Sequence, residues 1–538
     1  MKKIESLFIG VGLVAVIAVL GGGMWSYFSA PQTPAQIEVP DSRFGNFLAA
    51  QHAVYVNDFD NAMRFTESLS ETQYQTVLNT KMISEFLSGN MPKDAALLEE
   101  EKNAAARIIY DAYLVGQGKW KELHNRHKTD TVAMSSPLRI WSAIANDWRS
   151  NTFKFIDGLP TNDSWKSFVR GQIYAELGEH DKAAEQFDNV NTDFMNINDY
   201  LYIMSFYTHH DMPEKADGLK RDFTARPGGM FMHKYDNIPD WSLYQGYANQ
   251  LAFNMLQTVS HTQIMMYSDL AMLFLRFAQI TAPEFSKNND ALNYYIGQFF
   301  FNNIGDWKGQ FDKISANSPF FLFAQLRKAE KSGDMTKLNK IMKNHPLFVP
   351  AANVLIGHYI KTDDRRAALR VVNRALRDEN INDYGTAFFL KSRAQIHFAF
   401  GNLNSAQSDL NTASSITFPD AEILSLQAKI WALQNREIEN AYDYAMSLVK
   451  QNPTDVLAWD TLATVIHARE GVDAALEVLE RVGEVSATCS SLFEQLGDLY
   501  SEKEQNDKAR DAYLRAIELS DDGLVVVPFI ERKIRNLK

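Results

Sequence analysis

Histidine pairs are the first places to look for chemistry in this 538-residue chain. His124 and His127 stand three residues apart, so on a helix they rise from one face, one turn apart. Two imidazoles so placed can reach one metal ion, but no third ligand stands in phase with them, which leaves an ordinary exposed pair. His209 and His210 are adjacent; on a helix their rings diverge by about 100° and cannot chelate together. Gly10-Val11-Gly12 lies inside an apolar run and is not a dinucleotide loop. The sequence has no GxSxG elbow, Walker loop, HExxH helix or cysteine pair. Cys489 is its only cysteine. No titratable groups are spaced for acid–base work, so no catalytic residue, metal or cofactor is expected, and the chain reads as a non-enzyme.

Its elements must then position surfaces for binding. The 54 basic and 66 acidic residues give a net charge of −12. A nucleic-acid partner is not expected, because it would need a basic face to neutralise phosphates. The length exceeds what one core can organise, so several domains or a solenoid are expected, stabilised by packing without a disulfide framework.

Lys2 and Lys3 precede an uncharged apolar run of 22 residues from Leu7 to Phe28. As a helix it would span roughly 33 Å, enough to cross a bilayer. Gly21 and Gly23 offer small residues for a signal-peptide cleavage site, but the run is longer than a usual signal core, and Trp25, Tyr27 and Phe28 read as an interfacial belt. Residues 1–30 are therefore expected to be a single-pass membrane anchor, with a cleaved signal peptide as the alternative. The lysines should stay cytoplasmic, which places the body on the far side of the membrane. Pro31, Pro34 and Pro40 make residues 31–42 a stiff linker.

The body divides by pattern into residues 43–226, 227–345, 346–523 and a capping helix at 524–538. The first hairpin runs from about Arg43 to Leu69, with Asn57-Asp58 as the break and Ala62 where the two helices pass closest. Gly116-Gln117-Gly118, Gly158-Leu159-Pro160 and Pro227-Gly228-Gly229 punctuate the next stretches of helical period. From Phe231 to Phe323, 20 of 93 residues are aromatic, against 12% in the whole chain. Helical spacing persists there and again at Leu355, Tyr359, Ala368 and Val372; no stretch alternates as a strand would. The last helix, Val525 to Leu537, presents Glu531, Arg532, Lys533, Arg535 and Lys538 outward.

The final hundred residues carry a fixed period. Trp459, Leu462, Ala463 and Ala475 recur 34 positions later as Phe493, Leu496, Gly497 and Ala509. Gly171…Ala183…Phe187 and Ala394…Ala406…Leu410 repeat the same offsets. This pattern resembles the tetratricopeptide repeat (TPR), a helix–turn–helix unit of 34 residues. At that period, residues 41–538 hold about 14 or 15 hairpins. The layout resembles the long membrane-anchored TPR proteins of Gram-negative bacteria. The resemblance implies an all-α, right-handed solenoid of helical hairpins behind one N-terminal transmembrane helix, single-pass in the inner membrane with a periplasmic body. It also implies a concave groove, lined by the first helix of each hairpin, that binds proteins or peptides.

By that resemblance the groove positions are Ile423, Leu426, Ile430 and Leu433, then Leu457, Asp460, Thr464 and His467, then Ser491, Glu494, Asp498 and Ser501. Family members that clamp a C-terminal carboxylate use lysine and asparagine at these positions, and this chain has neither there. An apolar shelf running into an acidic one would suit an amphipathic segment with a basic end. The alternative function is handling of lipid or envelope polymer, with Tyr244, Tyr247, Tyr294, Phe299, Phe300 and Phe301 as an exposed aromatic surface. That reading requires these rings to be open rather than packed between repeats.

Overall fold

The computed structural model describes residues 43–67, 69, 75–129, 135–262, 269–303, 305–485 and 488–537. The apolar run Leu7 to Phe28, the linker 31–42 and Gly10-Val11-Gly12 lie outside the described residues. Among the described residues no helix is long and apolar enough to cross a membrane. The chain is all-helical there, with 29 α-helices and no strand.

Adjacent helices form hairpins because each carries an apolar face and the turn between them reverses the chain. Arg43–Tyr55 and Phe59–Glu67 are the first pair. Asn57 breaks between them in the left-handed region at φ 61°, and Asp147, Asp211, Asp363 and Asn435 do the same in later turns. Asn and Asp tolerate that conformation better than other non-glycine residues. Ala62 is fully buried against Ala50, Ala53 and Phe65, which is why no larger side chain fits.

The contact that fixes the hairpin crossing recurs along the chain. A Cβ added at Gly171 would lie 2.4 Å from the Phe187 ring, and one at Gly497 would lie 2.4 Å from the Tyr513 ring. Where the first helix carries alanine instead, as at Ala394 and Ala463, the residue sixteen positions on is leucine, Leu410 or Leu479. Each small residue leaves the space that its large partner fills, so the two helices approach at one fixed distance.

Two compact units result. The first holds residues 43–223 and Lys234–Lys328. Its helix Tyr247–His261 is buried along most of its length and carries amides into the interior. Trp141 Nε1 donates to Asn254 Oδ1 at 2.6 Å, Asn254 Nδ2 to Gln172 Oε1 at 2.9 Å, and Tyr202 OH to Gln250 Oε1 at 2.8 Å. Gln257 Nε2 donates to Asp199 Oδ1 at 2.8 Å, and His261 Nε2 lies 2.7 Å from Asp199 Oδ2. These bonds satisfy polar groups that would each cost about 1–3 kcal/mol if left buried and unpaired.

The second unit holds Thr224–His233 and residues 329–537. Its last nine α-helices are α1 Asp383–Ala399, α2 Leu403–Ile416, α3 Ala421–Leu433, α4 Ile438–Gln451, α5 Val456–Glu470, α6 Val472–Val485, α7 Ser490–Glu502, α8 Asn506–Glu518 and α9 Val527–Asn536. First helices α3, α5 and α7 pack side by side, each backed by its own second helix. This unit also meets itself across a long stretch of sequence. Helix Val349–Lys361 packs on the turn Ser520–Asp522, where a Cβ on Gly523 would lie 2.5 Å from Gly357 Cα, and Lys361 pairs with Asp521.

Replacing Gly497 with alanine should force the Tyr513 ring aside and lower stability by about 1–3 kcal/mol. Adding Tyr513→Leu should recover part of that loss, as the Ala463 and Leu479 combination does naturally. Chemical denaturation of the three variants checks this, and an unchanged midpoint for Gly497→Ala would refute the close crossing.

Candidate functional site

The twelve groove positions divide sharply. Ile423, Leu426 and Ile430 are buried in one cluster with Leu390, Ala406 and Leu410, so this face is packed within the repeats. The reason is that α3 packs this face onto α1 and α2, which closes the expected apolar shelf. Leu433 on α3 and Leu457 on α5 stay exposed, while Thr464, His467, Ser491 and Ser501 are half-buried.

Asp460 is also buried, held by partners on two neighbouring helices. Lys429 Nζ lies 2.5 Å from Asp460 Oδ2, and Ser491 Oγ donates to the same oxygen at 2.7 Å. With its side-chain amide turned to suit its neighbours, Gln495 donates to Asp460 Oδ1 at 2.7 Å and accepts from Thr464 N at 3.0 Å. One polar chain thus ties α3, α5 and α7 together. Cys489 sits at its edge, its thiol pushed up to about 11 by burial, in a buried site unsuited to nucleophilic work.

Glu494 and Asp498 are the acidic shelf, and Lys533 of α9 reaches both, Glu494 being half-buried and Asp498 exposed. Lys533 Nζ lies 2.8 Å from Glu494 Oε1 and 2.7 Å from Asp498 Oδ2, and Tyr513 OH donates to Asp498 Oδ1 at 2.7 Å. The expectation that Lys533 points outward is therefore corrected. The signal lay in the period, because Val527 and Ile530 stand 34 residues after Phe493 and Leu496. Helix α9 thus stands where the first helix of a further repeat would. Burial raises the Glu494 carboxyl above its ordinary value, with Lys533 acting in the opposite sense. Desolvation works against the Lys533 charge, but Glu494 and Asp498 outweigh it and hold the ammonium above its usual range.

The six aromatic candidates do not form an open surface. Tyr244 lies in a buried cluster with Tyr202, Trp241 and Phe253, and Tyr294 stacks on Phe311 at 5.9 Å. Phe299 and Phe300 are buried against Phe59. Tyr247 and Phe301 are half-buried and meet Trp120 and Trp307 edge-on. Rings at this density fill the spaces between helices that small aliphatic residues fill elsewhere.

His124, His127 and His210 pack against neighbours within the fold. His127 is buried with Nε2 2.9 Å from Asp111 Oδ2, which corrects the reading of an exposed pair, and His124 packs edge-on against Trp148. His210 stacks on His180, with ring centroids 3.9 Å apart, and stands perpendicular to His209. Burial, with His180 and His209 alongside, pushes His210 down to about 4. Among the described residues no group of three or more His, Cys, Asp or Glu is placed to hold a metal ion.

An open concavity in this second unit had no counterpart in the repeat pattern. A cavity of about 610 Å³ is lined by Pro227, Tyr384, Phe388, Lys391, Phe418 and Ile423, among others. Phe418 is 98% exposed and Tyr384 58%. Lys391 Nζ lies 2.7 Å from Asp420 Oδ2 and 2.6 Å from Glu422 Oε2. Asp420 also caps α3, accepting from Ile423 N at 2.9 Å. A bare aromatic residue in the turn Thr417-Phe418-Pro419 was the available clue.

The described residues form an all-helical set of packed hairpins with an open cavity in the second unit. Residues 419–538 match the family model described as a tetratricopeptide repeat-like domain. Among solved structures, the chain is similar to a tetratricopeptide repeat protein from Parabacteroides merdae, at 13% identity and TM-score 0.28 over 54% of this chain and 98% of that one. It is also similar to yeast Tom70, at 11% identity and TM-score 0.28 over 91% and 95%. A third is YrrB, a TPR protein with an unusual peptide-binding site, at 17% identity and TM-score 0.22 over 34% and 91%. Among curated proteins none matches the chain.

Replacing Lys533 with methionine would leave Glu494 desolvated beside Asp498 without a cation. The expected loss is about 1–2 kcal/mol at neutral pH, between the values for exposed and buried pairs. The acid sets the direction with pH. A carboxyl whose folded pKa is raised binds more protons folded than unfolded, so the variant gains relative stability as pH falls through the carboxylate range. Its deficit against the parent should therefore narrow below about pH 5. Urea titrations at several pH values read this directly, and a deficit independent of pH would refute the pairing.

Proposed function

We propose that the chain is a membrane-tethered helical-repeat scaffold that holds a protein or peptide partner. The observation that carries this reading is the cavity between α1, the turn before α3 and Pro227, with Phe418 and Tyr384 standing in water at its rim. Covering an aromatic side chain of this size releases about 1.5–3 kcal/mol, and exposed rings beside a concavity are typical anchors for a partner. Leu433 and Leu457 add exposed apolar contacts on α3 and α5. The match of residues 419–538 to a tetratricopeptide repeat-like domain supports the class of function, since such repeats serve as scaffolds for other proteins. The tether comes from the sequence, where Leu7 to Phe28 is long enough to span a bilayer with the body on the periplasmic side of a bacterial inner membrane. Tethering would confine the search for membrane-bound partners and raise their effective concentration. Lipid or polymer handling by the aromatic middle is not retained, because those rings are packed together.

A photo-crosslinking residue placed at Phe418 in the full chain should trap one discrete protein in native membranes. The adduct should weaken several-fold when Tyr384 is also changed to serine. Only diffuse labelling, or labelling indifferent to Tyr384, would sink the assignment of this surface.

Topology is a separate expectation. A reporter enzyme active only in the periplasm, fused after Lys538, should be active. Activity of a cytoplasm-only reporter at the same position would overturn the placement.

A further inference from the structure

The first described helix is apolar on both sides, and only one side is packed. Arg43–Tyr55 reads RFGNFLAAQHAVY. Asn46, Ala50 and Ala53 turn inward, and the two alanines meet Ala62 and Phe65. At about 100° per residue, Phe44, Leu48 and Tyr55 fall on the opposite side within an arc of roughly 40°. All three are exposed, at 70%, 48% and 80%. Three large apolar side chains aligned on a bare face require an occupant in a way that one scattered residue does not.

The charge and position of this helix identify the occupant. It contains no carboxylate, and its only ionisable side chains besides Tyr55 are Arg43 and His52, in a chain of net charge −12. A helix with aromatic residues along one face and only basic charge suits an anionic lipid surface. The apolar run ends at Phe28, and the 14 residues 29–42 can reach at most roughly 50 Å, so the helix lies within range of any bilayer that run enters. We infer that Arg43–Tyr55 lies along the membrane surface, with Phe44, Leu48 and Tyr55 set into the headgroup boundary. This rests on reading Leu7 to Phe28 as an anchor. It adds that the body is seated against the bilayer by its first hairpin rather than held off on its linker.

The test uses the full chain with Cys489→Ser and Leu48→Cys, labelled at residue 48 with an environment-sensitive fluorophore. It is reconstituted in phosphatidylethanolamine–phosphatidylglycerol vesicles with or without nitroxide-bearing lipid. Quenching by the nitroxide lipid should be several-fold stronger than for a label at Glu214→Cys, and adding Phe44→Ser and Tyr55→Ser should abolish the difference. A label at 48 open to aqueous iodide overturns the seating, and the anchor stands if the chain still resists carbonate extraction. A label shielded from both quenchers overturns it too, since protein then covers the face, whether a second copy or the chain's own N-terminal residues. Release by carbonate refutes the anchor alone, because nitroxide quenching before extraction still reports lipid contact by the helix.

Discussion

Two helices can cross as closely as these only if one of the facing side chains is nearly absent. That constraint governs the rest of the structure. Gly171 admits Phe187, Gly497 admits Tyr513, and the same space is shared as Ala394 with Leu410 and Ala463 with Leu479. In each pair the large residue buries most of its area against a bare stretch of backbone or a single methyl, so burial energy and crossing distance are set together.

This constraint also explains which parts of the fold were legible. A small residue followed sixteen positions later by a large one is a pattern in one dimension, and it returns as Ala394 with Leu410, Ala463 with Leu479 and Gly497 with Tyr513. The all-helical repeat architecture and most hairpin turns could therefore be read directly, down to Asn57 breaking the first pair. The aromatic middle could not. Gly297 there admits Phe311 at an offset of fourteen, so the phase is lost. The bonds that organise that unit join Trp141 to Asn254 and Asn254 to Gln172, partners more than eighty residues apart with no periodic signature.

The candidate site was half legible for a related reason. Family phase places Asp460 in a groove, yet phase says nothing about a neighbour long enough to reach it. By phase Lys429 stands at the crossing position of its own hairpin, and the residue sixteen positions on is the small Ala445. The ammonium then extends to Asp460 and closes it off. Glu494 and Asp498 are met in the same way by Lys533. Charges that stand out in the sequence as a shelf thus have partners within the array, with Asp460 buried and Asp498 still exposed.

The turns of the array are not all closed alike. The turn before α5 is closed by Trp459, whose Nε1 donates to Pro453 O at 2.9 Å. One period earlier the proline is kept as Pro419, but the tryptophan position is Ser425, which bonds instead to Thr461 at 2.7 Å. Without an indole to fold that turn back, Phe418 is left in solvent and Tyr384 and Phe388 border an open cavity. The position that Trp459 fills one period later is thus without a ring beside this cavity, whose margin also carries Lys391 paired with Asp420 and Glu422.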